Sequence, residues 1–315
     1  MVAGLALHRA GADFDFDFGI QTMSGHIGGW IRRARASVGK INITCGLLRE
    51  PSLFPGVDVI VVRDRWLVVT KPVQLLIHRT RPFSQPNLID NIAWALGESV
   101  YPVNRLDRVT SGLVLLGRDA EAAGLLGRLF GKREVEKTYL AISYTSGGLG
   151  LGPGDHFVID APIGMDTESP IRVKRSVVAE GEGAAAVTEV RVLGVDGGMI
   201  WMACRPRTGR THQIRCHLAH LRIPIVGDLI YGTAPDEYIR RASGVSMPAS
   251  PWIQESPRLG LHAWRLAFED PTQAGRPRVV VHAALPLDFP KPRGIAGFSL
   301  DCGADATRQR SLRDP

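Results

Sequence analysis

The sequence has few cysteines and no long apolar run. Its 315 residues include four cysteines, and no two of them form a Cys-x-x-Cys pair. Such scattered thiols favour free cysteines in a reducing cytosol over a disulfide framework or a structural zinc site. No stretch of about 18 apolar residues occurs, which argues against a membrane-spanning helix. With 44% hydrophobic and 22% charged residues, the chain has a globular composition, and we expect a cytoplasmic protein.

Several catalytic signatures are also missing. The stretch Gly127–Arg133 has a Gly-Lys pair but not the spacing of a phosphate-binding P-loop. Thr110-Ser111-Gly112 is not the Gly-x-Ser-x-Gly turn of a serine hydrolase. A base deaminase would need His-x-Glu and Pro-Cys-x-x-Cys, and neither occurs. His212, His217 and His220 lie close in sequence, but no acid or thiolate cluster completes a metal site, so we do not expect a metal.

The positive charge is concentrated. The chain has a formal net charge of +7. The window Trp201–Arg222 has five arginines and no acid, and the window Arg63–Arg81 has five basic residues against one acid, which gives +5 and +4. Clustered arginine suits phosphate because a guanidinium donates two parallel hydrogen bonds. Both windows are therefore interpreted as surfaces for a polyanion, with an ordinary solvated basic face as the alternative.

The hydrophobic patterns predict an α+β fold with a mainly antiparallel sheet and flanking helices. Residues 1–50 are interpreted as an extension of unknown role, 51–290 as one folded domain and 291–315 as a tail. Asp196-Gly197-Gly198 between two apolar runs predicts a hairpin. Strands are predicted over Val57–Val62, Trp66–Thr70, Leu113–Leu116, Thr138–Tyr144, Val187–Val195, Met199–Cys204 and Leu259–Phe268, and helices over Ala120–Phe130 and Gln213–Leu221.

Asp107 is a carboxylate with arginines close to it on both sides in sequence. Asp107 lies between Arg105 and Arg108 in a polar segment flanked by apolar residues. Two adjacent cations would keep the carboxylate ionised, as a nucleophile or an oxocarbenium stabiliser requires. A structural salt bridge is the alternative. No second acid lies near Asp107 in sequence, which disfavours a two-carboxylate hydrolase.

A series of motifs carries a resemblance. The chain resembles the RluA-type RNA pseudouridine synthases over roughly residues 57–290, with the motifs in family order. These are Val68-Val69-Thr70-Lys71-Pro72, Leu75-Leu76-Ile77-His78-Arg79, Arg105-Leu106-Asp107-Arg108, Thr110-Ser111-Gly112, Glu136-Lys137-Thr138-Tyr139-Leu140-Ala141, Thr208-Gly209-Arg210-Thr211-His212-Gln213-Ile214-Arg215, His217-Leu218-Ala219-His220, Pro224-Ile225-Val226-Gly227-Asp228 and Leu261-His262-Ala263.

The resemblance implies a pseudouridine-synthase-like fold with a central catalytic cleft, and it implies roles for four residues. Asp107 matches the catalytic aspartate, and Arg215 matches the arginine that pairs with it. Tyr139 matches the tyrosine that packs on the uracil and assists proton removal at C5. Arg105 matches the arginine that enters the RNA stack when the target uridine is flipped out. The isomerisation involves no redox step and no external group, so no cofactor is implied.

The resemblance also implies RNA as the partner, either tRNA or rRNA, and a monomer is expected. The chain looks like a shorter member without an S4-type domain, and its Asn104 replaces the histidine that the family most often has there. A catalytically silent RNA-binding protein and a nucleoside hydrolase that releases free uracil are the alternatives. The expected RNA contacts, besides Arg105, are Arg108, Lys71, His78, Arg79, Lys137, Arg210 and His212.

Overall fold

The computed structural model describes residues 54–79, 85–144, 150–243 and 258–290. The predicted extension 1–50 and tail 291–315 lie outside these ranges. The described helices are α1 (Leu88–Leu96), α2 (Ala120–Gly131), α3 (Gln213–His220) and α4 (Pro235–Ala242). The described strands are β1 (Val59–Val62), β2 (Trp66–Lys71), β3 (Tyr101–Pro102), β4 (Ser111–Gly117), β5 (Glu136–Tyr144), β6 (His156–Asp160), β7 (Ile163–Met165), β8 (Arg175–Val177), β9 (Val187–Asp196), β10 (Met199–Pro206), β11 (Leu261–Glu269) and β12 (Arg278–His282).

Most of these strands form one mixed sheet. Within the described ranges its order is β1-β2-β4-β11-β5-β10-β9-β6, with β3 beside β4 and β12 beside β11. The pairing of β11 with β4 is parallel, and the other pairs of the sheet are antiparallel. Strands β7 and β8 form a separate antiparallel pair. The predicted α+β fold with a mainly antiparallel sheet is confirmed.

The central strand β4 is buried on both faces. Since side chains alternate along a strand, Leu113 and Leu115 face one side and Val114 and Leu116 face the other. The first pair packs with residues of α2, and the second packs with residues of α1. Each fully buried leucine contributes about 1.5–3 kcal/mol relative to an exposed one. The two helices therefore clamp one half of the sheet from opposite sides.

The other half of the sheet consists of β5, β10, β9 and β6, and α3 packs on it. The predicted hairpin is confirmed, because Met199 of β10 pairs with Asp196 of β9. Its turn glycines, Gly197 and Gly198, have φ values of 55° and 79°, which a type I′ turn requires at both positions. The predicted helix Gln213–Leu221 is confirmed as α3.

The two halves meet at the short parallel pairing of β4 with β11. Ser111 pairs with His262, and Gly112 pairs with Ala263. Gly112 has a φ of +120°, and a Cβ atom at this position would overlap the backbone of Ala263. The sequence needs glycine here because both the backbone conformation and the close approach exclude a side chain. The loop before Ser111 therefore leads directly into the junction of the halves.

The helices α1 and α4 and the strands β3, β6, β7, β8 and β12 were not predicted. Helix α1 carries local signals that the sequence reasoning missed: Asn87 caps its start by accepting the Asp90 N–H at 3.0 Å, and Gly97 ends it in the left-handed region. None of the described helices has the length and apolar character needed to cross a membrane.

Candidate active site

Asp107 lies in the loop that joins β3 to β4. The Thr110 N–H donates to the Asp107 carbonyl at 3.0 Å, which closes a tight turn. The Gln74 N–H donates to the Arg108 carbonyl at 2.8 Å and ties the loop to the segment after β2. The Asp107 side chain keeps 27% of its surface exposed. The fold thus holds the backbone rigidly while it leaves the carboxylate open to the cleft.

Asn104 anchors the start of the same loop. Its side chain is buried, and its Oδ1 accepts the Leu115 N–H at 2.7 Å. The amide side chain therefore satisfies a backbone donor on β4 that has no strand partner at that point. In this chain, the residue that departs from the family pattern has a local structural role three residues before Asp107.

Arg215, in the first turn of α3, joins two carboxylates. Its Nη1 donates to Asp107 Oδ2 at 3.0 Å, and its Nε and Nη2 donate to Asp228 at 2.7 and 2.9 Å. The Arg215 side chain is 3% exposed. Although burial opposes the charge, the two carboxylates raise the pKa of Arg215 above its ordinary value. The guanidinium stays charged and is fixed in orientation by the bidentate pair.

Asp228 is the second acid of the site, and sequence reasoning assigned it no role. Its side chain has no exposed surface, and its Oδ1 also accepts the N–H groups of Ile230 at 3.0 Å and Tyr231 at 3.2 Å. Burial favours the neutral acid, but Arg215 and these N–H groups hold the pKa of Asp228 below its usual value. The signal was present, since Asp228 ends the quoted Pro224–Asp228 motif.

The flanking arginines do not pair with Asp107, contrary to the charge argument from sequence. Arg105 and Arg108 are exposed, and the Arg108 Nε lies 3.4 Å from the Gln74 carbonyl. The cation that contacts Asp107 comes instead from Arg215, which lies 108 positions away in sequence. This is the pairing that the family resemblance implies.

Tyr139 and Lys137 enter the cleft from β5. Alternation along the strand predicts a shared face, and both residues line the cleft. Burial, and secondarily the Asp107 charge, raises the pKa of Tyr139, so it is a neutral phenol at physiological pH. The Lys137 Nζ donates to the Thr208 carbonyl at 3.2 Å. Burial, with a contribution from Arg133, lowers the pKa of Lys137.

His212 lies directly before α3 and faces the same cleft. Its Nε2 is 3.8 Å from Asp107 Oδ2, and burial lowers its pKa to about 4. The cleft has about 510 Å³ of empty space and is open to solvent. Its lining includes the predicted residues Arg105, Asp107, Lys137, Tyr139, Arg210, His212 and Arg215.

Four predicted RNA contacts lie outside this lining, and the first of them is Lys71. The Lys71 side chain is buried, and its Nζ donates to the carbonyls of Pro72, Leu75 and Arg108 at 2.8, 3.0 and 3.2 Å. An ammonium group enclosed by three acceptors is not available to a phosphate. Lys71 therefore ties the end of β2 to the Asp107 loop, and its predicted RNA contact is withdrawn.

His78 and Arg79 also lie away from the lining of the cleft. Arg79 is exposed and forms an ion pair with Asp90 at 2.6 Å. His78 is half-buried. Arg108, though next to Asp107, is not part of the lining either. The structure thus gathers the predicted residues of β5 and the segment 208–215 around Asp107, and it leaves the residues of the 71–79 segment outside.

The histidines of the 212–220 segment have different environments. His217 is fully buried, with Nδ1 2.9 Å from Thr188 Oγ1 and Nε2 3.0 Å from the Ala161 carbonyl. Its two ring nitrogens tie the helix to β9 through Thr188 and to Ala161, the residue after β6. His220 is exposed at the end of α3. Among the described residues no group of three His, Cys, Asp or Glu side chains is arranged to hold a metal ion.

Comparison with known proteins identifies the class to which this fold and cleft belong. The family model described as RNA pseudouridylate synthase matches residues 65–220. A solved human structure, RNA Pseudouridylate Synthase Domain Containing 1, superposes with a TM-score of 0.57 at 24% identity, and it covers 76% of this chain and 87% of the human chain. That likeness shows the fold.

Curated relatives give the family. The tRNA pseudouridine synthase C of Vibrio cholerae is 32% identical over 230 residues, which are 67% of this chain and 85% of the relative. The ribosomal large subunit pseudouridine synthase D of Xanthomonas campestris is 32% identical over 240 residues, which are 74% of this chain and 67% of the relative. The chain belongs to the RluA-type RNA pseudouridine synthase family, whose members are isomerases.

Proposed function

We propose that this chain isomerises a uridine in tRNA or rRNA to pseudouridine, with Asp107 as its catalytic carboxylate. The observation that carries the proposal is the Asp107–Arg215 pair at 3.0 Å beside Tyr139, in a cleft that is open to solvent. A half-exposed carboxylate held by a buried, fixed guanidinium has the charge and the access that chemistry at the sugar C1′ requires.

In this proposal the two oxygens of the Asp107 carboxylate have different roles. Arg215 donates a hydrogen bond to Oδ2, and Oδ1 has no hydrogen-bond partner among the described residues. Oδ1 is therefore the atom that attacks C1′ or stabilises positive charge there while the N1–C1′ bond breaks. The electron pair of the N1–C1′ bond leaves with the uracil, which turns as an anion. C5 then bonds to C1′ and displaces Oδ1 where an Oδ1–C1′ bond has formed. The proton on C5 leaves to solvent water, and N1 takes up a proton from water. The ring of Tyr139 provides a face for the detached base.

The protonation state of Tyr139 limits how it can assist removal of the C5 proton. Because its pKa is raised, the residue enters the reaction as a phenol and not as a phenolate. A phenol oxygen can still accept a hydrogen bond from a solvent water molecule, and that water takes the proton that leaves C5. We place its main contribution in stacking on the uracil, with the phenolic oxygen positioning the acceptor of the C5 proton.

Cleft-lining cations supply the RNA contacts in this proposal. Arg105, Lys137 and Arg210 line the cleft around Asp107, and Arg105 and Arg210 are exposed. Exposed arginines bind phosphate and release counterions, so binding should weaken as salt rises. Flipping the uridine costs a few kcal/mol of unstacking, and Arg105 is positioned at the rim to fill the gap in the stack. Relatives of the chain are named for both tRNA and large-subunit rRNA, and we retain both substrates.

The decisive experiment uses RNA that carries tritium at C5 of its uridines. Wild type should release tritium from total RNA of a strain that lacks this protein, and Asp107→Asn should reduce the rate by roughly 10⁴- to 10⁶-fold, the range seen when members of a catalytic set are removed. RNA binding by the variant should persist, because the amide keeps the shape of the carboxylate. Arg128→Gln, on the exposed face of α2, serves as the matched surface control.

The outcomes separate the remaining interpretations. Full activity of Asp107→Asn would remove Asp107 from the chemistry. Binding without tritium release by wild type would identify a catalytically silent RNA-binding protein. Free uracil among the reaction products, separated by chromatography, would identify hydrolysis. Mapping pseudouridine in a deletion strain against its parent then names the RNA and the position.

A further inference from the structure

Tyr231 contacts several parts of the site at once, although it matched no expected catalytic or RNA-binding position. Its hydroxyl accepts the Arg175 N–H at 3.0 Å and lies 3.1 Å from His212 Nδ1. Its ring lies 5.3 Å from the Arg215 guanidinium carbon and meets the His212 ring edge-on at 5.7 Å. Tyr231 is therefore the residue through which strand β8, His212 and Arg215 are joined.

The hydrogen bonds of Tyr231 determine where its proton goes. The backbone N–H of Arg175 can only donate, so the tyrosine oxygen accepts from it. The hydroxyl has one proton of its own, and His212 Nδ1 is the acceptor within reach. If Nδ1 accepts, the single ring proton of a neutral imidazole sits on Nε2.

A second observation points to the same tautomer. His212 Nε2 lies 3.8 Å from Asp107 Oδ2. A nitrogen lone pair directed at a carboxylate oxygen is repelled, whereas an N–H in the same place is attracted. Because burial keeps His212 neutral, only one nitrogen can carry the proton, and the carboxylate favours Nε2.

The backbone of His212 suggests that this orientation is required. His212 has a φ of 57°, in the left-handed region that a side chain other than glycine adopts at a cost. It stands at the N-cap position of α3, yet its side chain makes no capping hydrogen bond. The ring is turned into the cleft instead, where it meets Tyr231 on one side and Asp107 on the other.

We propose that Tyr231 is a positioning residue that fixes neutral His212 with its Nε2–H directed at the Asp107 carboxylate. This inference rests on the proposed role of Asp107. His212 then supplies a second donor on the Oδ2 side, in addition to Arg215, without adding charge. The Arg175 amide lies at the start of β8, so the β7–β8 hairpin holds the hydroxyl of Tyr231 in place.

Tyr231→Phe tests the proposal because it removes the hydroxyl and keeps the ring against Arg215. In ¹⁵N spectra of the full chain, His212 should show the Nε2–H tautomer in wild type and a mixture of tautomers in the variant; its signal is assigned by its absence from His212→Gln. We expect kcat for tritium release to fall about tenfold, the equivalent of one lost hydrogen bond, with KM changed less than about twofold. Tyr101→Phe, on the exposed strand β3, is the matched control and should change neither.

A pair of substitutions at His212 checks the donor itself. The side-chain amide of His212→Gln can place an N–H near the position of Nε2, whereas His212→Ala cannot. Higher kcat for glutamine than for alanine supports the proposal. Unchanged tautomer and unchanged kcat in Tyr231→Phe would overturn it. If wild type releases no tritium, the proposed function fails, and the tautomer spectra still decide whether Tyr231 positions His212.

Discussion

Two stretches of this chain look alike in sequence and have different environments in the structure. The windows 63–81 and 201–222 carry local charges of +4 and +5. In the first, Arg65 pairs with Asp119 and Glu121, Lys71 is enclosed by carbonyls, and Arg79 pairs with Asp90. In the second, Arg215 and Arg210 line the cleft.

The difference shows that the net charge of a sequence window does not report which charges are paired in the structure. Asp119 lies 54 positions from Arg65, so the acid that neutralises this arginine is invisible in any short window. The second window also contains such pairs, since Arg207 meets Glu189 at 2.6 Å and Arg215 is held by Asp107 and Asp228. An RNA-facing surface is therefore defined by which arginines lack a nearby acid in space, and local excess only suggests where to look.

Among the substitutions that test the contrast between the two windows, Arg215→Ala should have the largest effect. Arg215→Ala would leave Asp228 fully buried without its cation, which costs about 3–5 kcal/mol of unfolding free energy, and activity should be lost with it. Urea unfolding measures the first and tritium release the second. Arg210→Ala, in the same window but exposed, should change the unfolding free energy by less than about 0.5 kcal/mol. Equal stability of the two variants would contradict the role given to Asp228.

The second effect concerns His217, the buried histidine of the second window. Burial lowers its pKa to about 4, against 6.5 for the ordinary side chain. Between these values the unfolded chain binds more protons, so the stability that neutral His217 contributes is complete above pH 6.5 and is lost as the pH falls towards 4. The loss should be about 2–3 kcal/mol. When the unfolding free energy is measured from pH 7 to 4.5, this loss should be smaller in His217→Gln. In His220→Gln the unfolding free energy should fall with pH as it does in wild type.

The third effect returns to the first window. Lys71→Met should lower the unfolding free energy by about 1–2 kcal/mol, because three carbonyls lose their donor. The slope of log K against log salt for RNA binding should not change, since Lys71 does not reach a phosphate. A slope reduced by about one, as for a lost phosphate contact, would restore the withdrawn prediction.

The smallest effect compares one exposed arginine from each window. Arg210→Ala should reduce the salt slope of RNA binding by about one, because Arg210 lines the cleft. Arg79→Ala should leave the slope unchanged, because Arg79 is paired with Asp90. Fluorescence anisotropy over a salt series measures both variants on the same RNA. Equal slopes for the two variants would remove the contrast between the windows.

Much of the fold was accessible from the sequence where a local rule determines the structure. The β9–β10 hairpin was predicted because Gly197 and Gly198 supply the positive φ values that its turn demands. Helix α2 was predicted from the spacing of its leucines, and Asp119 caps it by accepting the Ala122 N–H. The short strands β6, β7, β8 and β12 were missed, since three to five residues carry little periodicity.

The candidate site was less accessible, for a physical reason. The contact between Asp107 and Arg215 joins residues 108 positions apart in sequence, whereas residue types alone pointed to Arg105 and Arg108 as the partners of Asp107. Family resemblance pointed to Arg215 instead, and the structure brings that pair together. Neither approach assigned Asp228 or Tyr231, whose importance depends on burial and on hydrogen bonds that only a three-dimensional arrangement reveals.

The parallel junction of β4 and β11 has a consequence for the order of folding. Asp107 belongs to the half of the sheet built by the earlier strands, and Arg215 to the half that contains α3. Contacts between such distant segments form late, because closing a long loop costs entropy before the contact compensates for it. We therefore expect a chain emerging from the ribosome to have structured halves before it has a working site. The Asp107–Arg215 pair would then form only when the two halves dock.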